Sequence, residues 1–189
     1  NISEVAEAQA FAHGEVMMAS PTNIAVNVIV KGMDAADLEA SEQLAGRISP
    51  GSTAWLATPE MMLSDRSRYP LRQRQDALIG FESASAKFAQ NNTAVMPSIL
   101  LGAELALNLG VEVGNDIQLI SPDGDVGPTG LRPKLRSFRV GGIFRTGMYE
   151  YDQKMAYVTI VDAQRFFGLG ADVNRVELRL TSATHLDDV

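Results

Sequence analysis

Cysteine is missing from this chain, which removes a disulfide framework and any thiolate metal site and leaves the redox compartment unread. Histidine is scarce: His13 and His185 are the only two. They lie far apart without neighbours at ligand spacing, so the sequence offers no zinc site and few candidates for a catalytic triad. No GxxxxGKS/T phosphate loop occurs, so an ATPase acting with this chain would have to lie elsewhere. Gly168-Leu169-Gly170 opens like a dinucleotide fingerprint, but Val173 stands at the third glycine and the stretch leads into a strand pattern. Asp123-Gly124-Asp125 begins like a calcium loop, yet Lys134 falls at the twelfth position, where a bidentate glutamate is required. Glu150 and Asp152 could form a closely spaced carboxylate pair for acid–base work. Such a pair also decorates exposed turns, and an enzyme is the weaker class. No cofactor is expected.

Long apolar runs are absent as well. Ile24 to Val30 and Ser98 to Leu109 fall short of the ~20 apolar residues that span a bilayer. The chain begins at Asn1 without a charged-then-apolar leader, as an excised or processed chain would. A net charge of −7 over 189 residues argues against a general nucleic-acid binder, which would be basic overall. A 46% hydrophobic share suffices for a core, in one large or two small domains.

The chain is organised around Ser121 to Phe144. Ile117, Leu119 and Ile120 on one side and Phe138, Val140, Ile143 and Phe144 on the other read as strands. Between them the twelve residues Pro122 to Pro133 hold three prolines (Pro122, Pro128, Pro133) and three glycines, where a two-residue turn would join antiparallel neighbours. Each proline fixes its φ and pushes the residue before it toward extended geometry. The stretch reads as a projecting, partly rigid arm with Val126 and Leu131 as apolar contacts. An ordinary mobile surface loop is the plainer reading of the same composition.

Elsewhere, a hairpin is expected from strands near Glu15–Ala19 and Ile24–Val30, then a short helix from Asp34 to about Leu44 broken at Ser49-Pro50-Gly51. Ser98 would cap a helix Ile99 to Leu109, where Leu101, Leu105 and Leu109 recur at helical spacing, and Gly110 would end it. GMYEYD reads as a turn, Met155 to Val161 as a strand, and Asp162 as the cap of a helix Ala163 to Phe167. Val176, Leu178 and Leu180 alternate with Arg175, Glu177 and Arg179 in a last strand. The segment 53–93 is the least readable. Its basic cluster Arg66, Arg68, Arg72 and Arg74 is either a patch for anionic headgroups or an acidic partner, or a solvated insertion balanced by Asp65, Asp76 and Glu82.

The run PSILLGAELALNLGVEVGNDIQLISPDG, the proline-bounded arm, LRSFRVGGIF, TGMYEYDQKMAYVTIVDAQRFF and VNRVELRLTS together resemble the periplasmic domain of lipoprotein-releasing ABC transporter permeases, the LolC/LolE family. The resemblance covers roughly residue 95 to the end, and 14 to 40 more loosely. It implies an α+β chain of two subdomains, a small mixed Porter-like sheet with helices (1–45 and 172–189) and a mostly β Sabre-like subdomain (46–171). It further implies a Hook-like arm, 122–133, that captures the periplasmic chaperone LolA, with Pro128-Thr129-Gly130 at its tip and Arg132 and Pro133 on its return. A Pad beneath would fall on Gln118, Leu135 and Arg136. Thr129 and Leu135 depart from the methionine and glutamine of the family pattern, and the arm is one residue shorter. Implied partners are LolA, a LolD-type ATPase reached through flanking membrane helices, a second permease subunit and lipoprotein cargo, at a bacterial inner membrane. A MacB-like or FtsX-like domain serving another periplasmic partner is the alternative within transport. A ligand-binding module or hydrolase, with a polar cleft at Tyr149, Glu150 and Asp152, is the alternative outside it.

Overall fold

The structure, a computed structural model, describes residues 5–22, 24–41, 44, 46–64, 95–127 and 130–180. The cluster Arg66, Arg68, Arg72 and Arg74, the arm residues Pro128 and Thr129, and His185 lie outside them. In chain order come β1 (Val5–Ala19), β2 (Ala25–Met33), α1 (Ala35–Ala40), β3 (Ile48–Gly51), α2 (Ala54–Ala57), α3 (Glu60–Ser64), β4 (Ser98–Gly102) and α4 (Ala103–Leu109). There follow β5 (Asp116–Gly127), β6 (Gly130–Phe144), α5 (Tyr149–Lys154), β7 (Met155–Thr159), α6 (Ile160–Phe167) and β8 (Arg175–Leu180).

Six strands close on themselves. β1 pairs with β2, β2 with β7, β7 with β4, β4 with β6, β6 with β5, and β5 returns to β1. Two of these pairings are parallel, β2 with β7 and β4 with β6. A ring of this kind leaves little edge to protect, and period-two alternation sends every second side chain inside. Val16 and Met18, Val28 and Val30, Ile99 and Leu101, Ile117 and Leu119, Phe138 and Val140, and Ala156 and Val158 are all buried in one cluster. Each of the six strands thus contributes an alternating pair to the barrel interior. The intervening residues Leu100 and Tyr157 join Phe144 in a second cluster outside, with Leu38 in α1, Leu44 after it and Leu56 in α2.

Two tethers leave the ring. The first half of β1, Val5 to Phe11, pairs with β8 in a two-stranded ribbon, and β3 lies against β6. Asn174 continues the ribbon ladder with its side chain, accepting from His13 N–H at 2.8 Å and donating to the His13 carbonyl at 2.7 Å.

The sheet-dominated mixed α/β class matches the coarse expectation. Several elements differ from it. The run read as one helix from Ile99 is a strand to Gly102, and helix only from Ala103 to Leu109. All five strand residues are buried, and a run buried on both faces carries no periodicity that separates strand from helix. The helix expected from Asp34 to Leu44 stops at Ala40. Residues read as a GMYEYD turn hold α5, and Thr159, not Asp162, caps α6, its hydroxyl accepting from Asp162 N–H at 3.2 Å. The β4–α4 and β7–α6 units share a plan, strand passing directly into helix, each helix ending on a left-handed glycine, Gly110 or Gly168, where a side chain would be strained.

Candidate functional site

The arm is continuous sheet. β5 and β6 stay paired from Asp116↔Arg139 to Gly127↔Gly130, so the stretch expected as a loop is the distal half of one long hairpin. Among the described residues β5 meets another strand, β1, only at Gln118 to Ile120, and β6 meets β4 only from Arg139 onward. Beyond Ser121 and Lys134 the two strands therefore have each other alone. Counting Lys134 to Gly130 at about 3.3 Å per residue gives an arm of ~13 Å.

The prolines fall where a ladder can hold them. Register runs Ser121↔Lys134 and then Asp125↔Arg132, so Pro122, Asp123 and Gly124 stand opposite Pro133 alone. Proline has no N–H to give a ladder and is confined to edges and bulges, and extra residues on one strand bend and twist the pair. Pro122 and Pro133 thus mark the bend at which the arm leaves the barrel. For Val126, Leu131 and Arg132 the backbone register is what is described: Val126 pairs with Leu131 and Arg132 with Asp125.

The three residues of the expected Pad do not share a face. Gln118 and Leu135 lie on the outward face with their partners Ser137 and Ile120, while Arg136 pairs with buried Leu119 and shares the face of buried Phe138. Arg136 is partly buried and committed: its guanidinium donates to Asp162 Oδ1 at 2.6 Å and to the Asp162 carbonyl at 3.2 Å, and sits 5.4 Å from the Phe138 ring centroid. Asp162 is held in turn by Thr159 Oγ1, which donates to its Oδ2 at 2.7 Å. Arg139 is likewise paired, with Asp116 opposite it on β5, at 2.7 and 3.2 Å.

The carboxylates of the enzyme alternative are not brought together. Asp152 is 2% exposed and accepts from Thr146 N–H (2.9 Å), Thr146 Oγ1 (2.7 Å) and Gly147 N–H (3.2 Å), while Glu150 and Tyr149 face solvent. Its role is to hold the turn entering α5. An open cleft lies elsewhere, between α1 and β3, lined by Leu38, Leu44, Ile48 and Thr53. Burial pushes the Tyr151 and Tyr157 phenols up, and the two are hydrogen-bonded to each other, so neither is a base near neutral pH. No group of three or more metal-ligating residues occurs among the described residues, and no described helix is long and apolar enough to cross a membrane. Asp152 is missed by the sequence reading as a structural anchor, and Asp162, expected there as a helix cap, is instead the acid that holds Arg136. The spacing of Thr159 to Asp162, a hydroxyl followed three residues later by an acid, is a capping-box signal for the start of α6.

What these features define is a sheet-dominated α/β domain presenting a two-stranded arm. No protein-family model matches the chain. Over 82 residues, 43% of this chain and 20% of the other, it is 43% identical to the lipoprotein-releasing system transmembrane protein LolC of Neisseria meningitidis serogroup B. Over 92 residues, 49% of this chain and 22% of the other, it is 37% identical to LolC of Xylella fastidiosa, strain Temecula1. The chain is a relative of the LolC proteins over about half its own length, and the matches span about a fifth of theirs. Among solved structures, the extracellular domain of the noncanonic ABC-type transporter YknZ from Gram-positive bacteria aligns with a TM-score of 0.49 at 11% identity, covering 100% of this chain and 72% of that one.

Proposed function

We propose that this chain is the periplasmic domain of an inner-membrane ABC transporter permease that releases lipoproteins, and that its β5–β6 arm recruits a LolA-type chaperone. The observation that carries the reading is the arm itself: a hairpin whose distal strands pair with no other described strand, in a relative of LolC. Strands paired on one edge only leave backbone N–H and C=O groups for an incoming chain. Pro122, Pro128 and Pro133 restrict the unbound arm, so less freedom is lost on docking. They also discourage indiscriminate edge pairing. Contacts would come from Pro122, Val126, Pro128, Thr129, Gly130 and Leu131, with Arg132 and Pro133 on the return strand and Gln118 and Leu135 on the outward face below.

The β1–β8 ribbon suits such a domain. Val5 and Leu180 are register partners, so the outer ends of β1 and β8 lie side by side, an arrangement that fits tethering to two neighbouring membrane segments. In this reading residues 1–45 and 172–189 form the Porter-like part and 46–171 the Sabre-like part, with β1 and β2 also pairing into the ring. ATP would be hydrolysed by a LolD-type subunit, with a second permease subunit completing the transporter and lipoprotein as cargo. The chain itself is not an enzyme.

Titration of the chain with its cognate LolA-type chaperone tests this, beside a variant with residues 128–131 replaced by Gly and Ser. Micromolar binding, about −8 kcal/mol, that weakens at least about tenfold in the variant is expected. Binding by neither protein would overturn the assignment and favour a MacB-like or FtsX-like domain with a different periplasmic partner.

A further inference from the structure

We infer that Arg136 is a positioning residue that anchors the base of the arm to α6, and that Asp162, outside the arm, controls partner binding through it. The inference rests on the function proposed above for the arm, and deepens it.

Support for the two strands is uneven at the point where they leave the barrel. β5 has β1 beside it up to Ile120, whereas β6 gains its second neighbour, β4, only at Arg139. From Lys134 to Phe138 the outer edge of β6 has no strand neighbour among the described residues. Two long side chains reach from that segment to opposite ends of α6. Arg136 grips Asp162 in its first turn through one carboxylate oxygen and the main-chain carbonyl. The Lys134 ammonium lies 3.1 Å from where a Cβ on Gly168, the C-cap, would stand. A cation beside the last carbonyls of a helix and an acid in its first turn both suit the helix dipole.

The Arg136 grip is built to be rigid. A planar guanidinium held at two acceptors has its orientation fixed as well as its distance, and Phe138 lies beneath it. Asp162 is itself immobilised, by Thr159 Oγ1 on its other oxygen. Arg136 also faces away from Gln118 and Leu135. A partner seated on their face would meet the side of the hairpin opposite the guanidinium. The strut therefore sets the direction in which the arm leaves the barrel, and its loss lets the hairpin pivot at the Pro122–Pro133 bend.

The test is a double-mutant cycle in the 189-residue chain with Arg136→Met, which keeps the apolar stem, Asp162→Asn, and both together. Binding of the LolA-type chaperone is read by calorimetry, and exchange of the amides of residues 131, 132, 134 and 135 by hydrogen–deuterium exchange without partner. Each single variant should weaken binding about fivefold to tenfold, and the double variant no further than the weaker single. Arm amides should exchange faster in all three while those of Ile99 to Leu101 stay protected, and Arg136→Lys should restore part of both effects. Unchanged or tighter binding on Asp162→Asn, with Arg136→Met still damaging, would overturn the inference and make Arg136 a direct contact. If the parent chain binds no chaperone, the proposed function fails, and the exchange data alone then decide the anchor. Arm amides unchanged in Asp162→Asn would reject it.

Discussion

Replacing Asp152 with alanine separates its structural role from a catalytic one. Its carboxylate is 2% exposed and takes three donors, Thr146 N–H, Thr146 Oγ1 and Gly147 N–H, at 2.9, 2.7 and 3.2 Å. A hydrogen bond to a charged group contributes about 1.5–3 kcal/mol and a neutral one about 1. Gly147 is exposed and Thr146 half-buried, so water would take over part of what is lost. The expected cost is then about 2–4 kcal/mol. Asp152→Asn keeps one acceptor oxygen and should cost about half as much. In a domain of this size 1 kcal/mol moves the melting temperature by about 2–4 °C, so Asp152→Ala should melt roughly 4–16 °C lower. Glu150→Ala, at an exposed position, should stay within about 0.5 kcal/mol of the parent. Urea unfolding followed by tryptophan fluorescence at Trp55, with calorimetric melting beside it, gives both numbers. Equal stability of the two alanine variants would refute the turn-holding role.

Other positions make further expectations. At Gly102, an added Cβ would stand 2.0 Å from the Asp152 carbonyl oxygen. Because the obstacle is main chain, Gly102→Ala should cost at least about 1–3 kcal/mol, read as a lower urea midpoint, and an unchanged midpoint would contradict the close packing of β4 on α5. Burial, with Arg175 and Lys31 nearby, holds His13 below its ordinary pKa of 6.5. The folded state therefore binds fewer protons than the unfolded state just below that pH, and the His13 contribution, full above 6.5, is lost as pH falls toward the depressed value. His13→Gln should flatten the difference in urea midpoint between pH 7.5 and 5.5, and an identical difference in both proteins would contradict this.

Legibility in the sequence follows burial geometry. The barrel halves of β5 and β6 announce themselves because each has one face in the core: Ile117 and Leu119 alternate with Gln118, and Phe138 and Val140 with Arg139. β4 does not, since its alternate residues feed two different clusters, Ile99 and Leu101 inside and Leu100 outside. The closing of β1 and β2 into the ring depends on Met17↔Ile120 and Ile29↔Met155, contacts more than a hundred residues apart that no local pattern encodes. In the arm, prolines and glycines signalled a projection, but the same residues hid its sheet pairing, which tolerates them only because the ladder is interrupted at Pro122–Pro133. Arg136 falls on the Pad only as the family resemblance implies, and its tie to Asp162, 26 residues away, has no local signal. Its inward face becomes visible only through the register with Leu119.

The central claim, that the arm is where the chaperone docks, is tested most directly by photocrosslinking. A photoreactive amino acid is placed at Leu131 in the arm or at Tyr149 in α5, beyond the far end of β6 and exposed, and each protein is irradiated with the LolA-type chaperone. The account predicts a chaperone adduct from position 131 and none from 149. Adducts from 149 alone, with the chaperone bound and position 131 silent, would contradict it.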